Sequence, residues 1–281
     1  MVRSPIKWSG GKSRLRKFIV SAFPKHDCYV EVFGGAGWVL FEKEPSKVEV
    51  FNDINQELTN FFSVVRNQPQ KLIESFRWEL VERAKFESLQ SMPDQNIADL
   101  TSVERAHRFF YIIMAAWGGE YGSARFQTSV KDGGKGNRLI GALQNLEKRI
   151  TPAHQRLQKV IIENLSWQEC ISRYDKKGKA DILMYLDPPY PDNNVNYAHN
   201  MRSWAEHEEL ARVCRSMNAK FVLSSYDTRE MRELFPSRKY DIMPVQFASG
   251  MPTTNGTTKP NQEILITNFA LESVEKRGEL I

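Results

Sequence analysis

The chain has 281 residues, 41% hydrophobic and 26% charged, which fits one large globular domain or a core with a sizeable insertion and excludes a disordered chain. No apolar run can span a bilayer, the first residues carry no apolar signal core, and three scattered cysteines fit a reducing cytoplasm, the expected location. Five histidines without paired-ligand spacing give no expectation of a metal site, and a net charge of +5 favours an acidic partner such as nucleic acid.

Residues 5–12, PIKWSGGK, set Gly10 and Gly11 before Lys12. A phosphate loop needs a further glycine where Ile6 stands, so an NTPase is excluded. What remains is a glycine turn beside Trp8 and Lys12, opening a basic helix over 13–22. A strand over 29–33 then leads to Gly34-Gly35-Ala36-Gly37 and a helical stretch from Trp38. Strand, glycine loop and helix bring backbone close to a cofactor. The next strand, 47–51, ends at Asn52-Asp53, an acid placed to accept hydrogen bonds from a ribose diol. Leu40 stands where a dinucleotide fingerprint needs its third glycine, which favours an adenosine without a pyrophosphate.

From residue 56 helical segments follow one another: 56–67, 70–90 and 101–117, the last opening on a capping box of Thr101 and Glu104. A glycine-rich stretch, 118–136, and a helix over 137–150 complete what reads as an insertion between two sheet strands. Residues 118–160 hold eight Lys/Arg against three Asp/Glu, with Tyr121 and Phe126 among them, a mixture suited to phosphate and base contacts.

The α/β alternation resumes with a strand over 160–163 and a helix over 166–174. The apolar run 182–186 reads as a buried central strand. It stops at Asp187-Pro188-Pro189-Tyr190, because proline cannot donate to a ladder. A carboxylate and an aromatic ring thus stand at a carboxyl edge, where open α/β sheets bind ligands. A polar loop (192–200), a helix (203–216), a strand (220–224) and a short helix follow. Strands over 240–247 and 263–268, joined by a Gly/Pro/Thr loop and no helix, read as an antiparallel pair.

Taken together these motifs resemble the Dam-type family of adenine-N6 DNA methyltransferases. Its KWxGGK turn stands here at Lys7–Lys12, its E-x-F-x-G-x-G at Glu31–Gly37, its second-strand acid at Asp53 and its D-P-P-Y at Asp187–Tyr190, in the family's order. The resemblance implies a Rossmann-like α/β methyltransferase sheet, mostly parallel with an antiparallel C-terminal strand, plus a helical insertion domain. Residues 1–55 and 160–270 would form the catalytic domain that binds S-adenosylmethionine, 56–159 the target-recognition insertion and 271–281 a tail. It also implies a catalytic set of Asp187, Pro188 and Tyr190. The implied cofactor set is Trp8, Gly11, Lys12, Phe33, Gly34, Gly35, Gly37, Asp53 and Ile54, with Asp187 shared. Arg125, Phe126, Lys131, Lys135 and Arg138 are the expected DNA contacts, on duplex DNA, by a monomer without a metal. Trp117-Gly118-Gly119 and Ser123–Gln127 replace the family's Asn-rich recognition stretch, so a GATC target does not carry over.

The expected chemistry explains the residue types. Adenine's exocyclic amine is a poor nucleophile because its lone pair is delocalised into the ring. A carboxylate accepting an N6–H bond, helped by the Pro188 carbonyl, favours a more tetrahedral nitrogen that attacks a sulfonium methyl in line. Tyr190 would supply a face for a base swung out of the duplex. Same-fold enzymes acting on RNA, cytosine N4 or protein glutamine remain alternatives. So does a DNA-binding regulator without catalysis, although Lys12, Asp53 and D-P-P-Y are all intact. A nicotinamide dehydrogenase is disfavoured by the missing third glycine.

Overall fold

Period-two alternation along the apolar runs gives the central strands two buried faces. Tyr29, Leu183, Tyr185, Val222 and Leu265 enter one hydrophobic cluster; Val30, Met184, Leu186, Leu223 and Ile266 enter the other. The computed structural model describes residues 2–121, 124–128, 137–178, 181–191, 201, 203–247 and 261–271. In chain order these hold α1 (Arg16–Ser21), β1 (Cys28–Glu31), α2 (Trp38–Glu42), β2 (Val48–Asn52), α3 (Gln56–Asn67), α4 (Pro69–Ser75), α5 (Arg83–Gln90), α6 (Asp94–Ala98) and α7 (Ser102–Ala115). Then come α8 (Arg138–Gln144), α9 (Leu146–Leu157), β3 (Val160–Glu163), α10 (Trp167–Tyr174), β4 (Ile182–Leu186), α11 (Trp204–Ser216), β5 (Lys220–Tyr226), α12 (Arg229–Leu234), β6 (Asp241–Phe247) and β7 (Asn261–Thr267).

The seven strands form one sheet in the order β3-β2-β1-β4-β5-β7-β6. β1 to β5 are parallel, and β7 lies antiparallel between β5 and β6. The direction of winding reverses between β1 and β4, whose register sets Glu31 beside Tyr185. That reversal opens a crevice at the carboxyl ends of the two strands. Helices from the 56–159 region, α3 and α7 above all, share the cluster of Tyr29 and Tyr185, so they cover one face of the sheet. The Thr101/Glu104 capping box is present at the start of α7.

Two helices expected from sequence are broken. The span 70–90 stops at Ser75 and restarts at Arg83. Between them the buried Tyr111 hydroxyl donates to the Leu80 carbonyl (3.0 Å) and accepts from the Glu82 amide (2.8 Å), which fixes that chain in a non-helical path. The span 137–150 breaks at Asn145 (φ −123°). Its second half then runs through Pro152 to Leu157, because Ile150, Ala153 and Leu157 all bury on one face and packing outweighs the proline's missing donor. The short α6 was not expected. Several strands also start or end a residue or two from their expected limits, as β1 does by ending at Glu31 and β5 by reaching Tyr226.

Candidate active site

The N-terminal glycine turn closes where the Gly11 amide donates to the Trp8 carbonyl (3.1 Å), with Gly10 at φ 73°. This turn carries Lys12 into the crevice, where its ammonium lies 2.8 Å from Asp187 Oδ1. Lys12 is 7% exposed and Asp187 17% at the side chain. The lysine was expected near a cofactor carboxylate; its partner in the structure is Asp187, the acid expected to be catalytic. Tyr190 was expected as an open stacking face. It is buried instead, with the Lys12 ammonium 4.6 Å from its ring centroid and the Tyr226 ring packed against it at 4.5 Å and 69°. Pro188 is buried, and so is His207 of α11, whose Nε2 hydrogen-bonds the Met201 carbonyl (3.0 Å).

A second carboxylate joins this cluster. Glu263 of β7 accepts from the Tyr190 hydroxyl (3.2 Å) and lies 3.9 Å from Lys12 Nζ. Burial raises the pKa of Asp187 above its ordinary value, against the pull of Lys12. Burial raises Glu263 as well, Lys12 opposing and Asp187 assisting. Lys12 is disfavoured by burial, yet two acids together hold it above its usual value. One ammonium is divided between two carboxylates, so neither acid is fully compensated. Below them Glu31 accepts from the Tyr29 hydroxyl (2.7 Å), and burial pushes it up to about 8.

The glycine loop after β1 lies beside this cluster. The Gly34 amide donates to the Asn52 carbonyl (2.7 Å), and a Cβ on Gly34 would fall 2.4 Å from the Phe51 ring. Gly35 and Gly37 have φ of 49° and 66°, and the Trp8 indole covers Gly35. Gly11 packs against the Trp38 ring. The Asp53 carboxylate takes the Gly35 amide on Oδ2 and the Asn55 amide on Oδ1, both at 2.8 Å, so it braces the loop as well as standing at the end of β2. Ile54 beside it is 45% exposed, and Phe33 is half-buried. The expected cofactor residues are therefore gathered along one crevice.

The expected DNA residues divide. Arg125 is exposed on a loop held by a bond from the Trp117 amide to its carbonyl (2.7 Å). Phe126 packs into the protein against Phe86 (5.4 Å) and beneath Arg83 (4.8 Å), because the edge-to-face ring pair buries it. Arg138 donates to Gln127 Oε1 (2.7 Å) and the Ala116 carbonyl (3.1 Å), so it ties the loop to α8. Lys131 and Lys135 lie outside the described residues. Lys7, which sequence reasoning left out, is lowered by burial and then by Arg138 and Arg149, a local gathering of positive charge. The Ser9 amide donates to the Gly119 carbonyl (3.3 Å), joining this positive region to the active-site turn. Among the described residues no three His, Cys, Asp or Glu converge to hold a metal, and no helix is long and apolar enough to cross a membrane.

A doubly wound sheet with a glycine loop, a strand-end acid and D-P-P-Y at its switch point has the layout of a Rossmann-like methyltransferase. Comparison with known proteins gives the family. Residues 8–250 match the D12 class N6 adenine-specific DNA methyltransferases. A type II methyltransferase of Lactococcus lactis subsp. cremoris is 26% identical, over 94% of each chain. DNA adenine methylases of Haemophilus influenzae (26%, 86% of this chain and 85% of the other) and Escherichia coli (24%, 94% of each) are also similar. The chain belongs to the D12 class of N6 adenine-specific DNA methyltransferases, and its activity is methylation of adenine in DNA.

Proposed function

We propose that the chain takes S-adenosylmethionine in the crevice between β1 and β4 and methylates N6 of an adenine extruded from duplex DNA. The residues present fit that donor. Glycines 34 and 35 let the loop pack tightly against Phe51 and Trp8, Asp53 offers lone pairs to a ribose diol, and exposed Ile54 offers an apolar plate to an adenine ring. Asp187 and Glu263 outnumber Lys12, which suits a cationic donor. When bound, S-adenosylmethionine supplies an electrophilic methyl on a sulfonium.

The protein's part is positioning and electrostatics. Asp187 accepts an N6–H bond, and the Pro188 carbonyl, fixed by the proline pair, offers a second acceptor. Both draw the nitrogen toward a tetrahedral geometry. Tyr190, tied at its hydroxyl, forms the aromatic wall beside an extruded base. Residues 56–159 serve as the target-recognition part, with Arg125 toward the DNA and the catalytic part formed by 1–55 and 160–270. The observation that carries this reading is the buried Lys12–Asp187 pair at the switch point. In Asp187→Ala, methyl incorporation into unmethylated DNA is expected to vanish while cofactor and DNA binding survive, since the carboxylate acts on the transition state. Near-native turnover in that variant would remove Asp187 from the chemistry. Sequencing of modified bases in DNA from expressing cells identifies both the methylated atom and the site.

A further inference from the structure

Glu263 belongs to none of the sequence motifs, yet the sheet delivers it to the reacting cluster. β7 runs antiparallel to β5, so its first residues reach the edge where β4 and β5 end, and Glu263 pairs in register with Tyr226. We infer that Glu263 is a positioning residue for methyl transfer, holding the Tyr190 ring by its hydroxyl and sharing Lys12 with Asp187. The inference rests on the reading of Asp187 and Tyr190 as the transfer site.

Four contacts carry it. Tyr190 Oη donates to Glu263 Oε2 at 3.2 Å. Lys12 Nζ stands 2.8 Å from Asp187 and 3.9 Å from Glu263. The same ammonium lies over the Tyr190 ring at 4.6 Å. A tyrosine ring anchored at both Cβ and hydroxyl cannot swing without breaking a bond to a charged acceptor. A buried carboxylate is costly to keep unless its bonds serve something, and Glu263 is 7% exposed at the side chain. The groups that titrate around it are Lys12 from the glycine turn, Tyr185, Asp187 and Tyr190 from β4 and its end, and Tyr226 from β5. With Glu263 drawing on Lys12, the Asp187 oxygens are only partly neutralised and remain strong acceptors for the adenine amine. Without it, Lys12 turns wholly to Asp187.

The test is single-turnover transfer from methyl-labelled S-adenosylmethionine to adenine-unmethylated genomic DNA, measured across pH. The variants are Glu263→Gln, Tyr190→Phe, their double variant and Asp187→Asn. Glu263→Gln is expected to slow transfer by about tenfold to a hundredfold, the cost of a small misplacement at the reacting atoms. It should also move the acid limb of the rate profile to lower pH, because Asp187 then keeps Lys12 to itself. Tyr190→Phe should slow transfer without moving that limb, and the double variant should be no slower than the slower single one. A parental rate and limb in Glu263→Gln, or effects that multiply, overturn the inference. Should Glu263→Gln fail to fold, Glu263→Asp keeps the charge but withdraws it from Tyr190, and a parental rate there is equally fatal. An active Asp187→Asn defeats the reading of the site itself; an inactive one beside an unaffected Glu263→Gln defeats only the positioning role.

Discussion

At Asp53 both carboxylate oxygens already hold backbone amides, from Gly35 and Asn55. Asp53→Ala should therefore weaken cofactor binding by roughly 1.5–3 kcal/mol, the worth of a charge-assisted diol contact, and lower the melting temperature of the ligand-free protein as well. Calorimetry that finds a lower melting temperature with unchanged affinity would leave Asp53 a brace for the loop and nothing more. Glu31 gives a pH prediction. Folded, it holds its proton to about 8; its ordinary value is 4.5. Between those values the folded state binds a proton that the unfolded chain has released, so stability falls as pH rises, by up to about 1.4 kcal/mol per pH unit. Denaturant melts of Glu31→Gln, which keeps an acceptor for Tyr29, should lack that part of the slope. Asp53, Asp187 and Tyr190 stood out in the sequence because each follows a strand in a short motif, and Lys12 because it closes the N-terminal glycine turn. Glu263 did not. Gln262-Glu263-Ile264-Leu265 reads locally as an ordinary strand start, and only the antiparallel register reveals where its acid goes. The usable signal was geometric: the first residue of an antiparallel strand faces the carboxyl edge of its parallel neighbours.

Glycine has opposite meanings in two elements. Gly34 is pressed against β2, where a Cβ would meet the Phe51 ring at 2.4 Å and the Asn52 carbonyl at 2.8 Å. Gly34→Ala should cost about 1–3 kcal/mol of stability through overpacking and should disable cofactor binding. Gly141 lies within α8 with nothing within 4 Å of its would-be Cβ. Gly141→Ala should raise stability by about 0.5–1 kcal/mol and leave activity alone, as denaturant midpoints and turnover would show. The direction of the strands followed from the apolar runs and connecting helices, whereas their order in the sheet is set by tertiary packing. Helix limits in the 56–159 region were less legible. The chain at 80–82 is shaped by a hydroxyl from α7, some thirty residues on, and α9 is carried past Pro152 by burial on its inner face. Local propensity contains neither fact.

Over the whole molecule, charge and topology set what the enzyme meets. The +5 net charge and the cations gathered around Lys7 would attract a polyanion, with a strength that falls with salt. Arg125 is exposed. Arg125→Ala is expected to relax discrimination at one base pair by about 1–3 kcal/mol, read by comparing methylation of the mapped site with its single-base variants. Equal slowing at every sequence, with a salt slope reduced by about 0.9, would make it a phosphate contact instead. The placement of β7 has a consequence for synthesis. A ribosome that has released the chain as far as β6 has already made both prolines, the catalytic acid and the whole glycine loop. At that moment β5 still presents an unpaired edge, and the acid that joins Tyr190 to Lys12 is not yet outside. Prematurely terminated chains would thus lack Glu263 beside Tyr190 and would be prone to edge-to-edge association through β5.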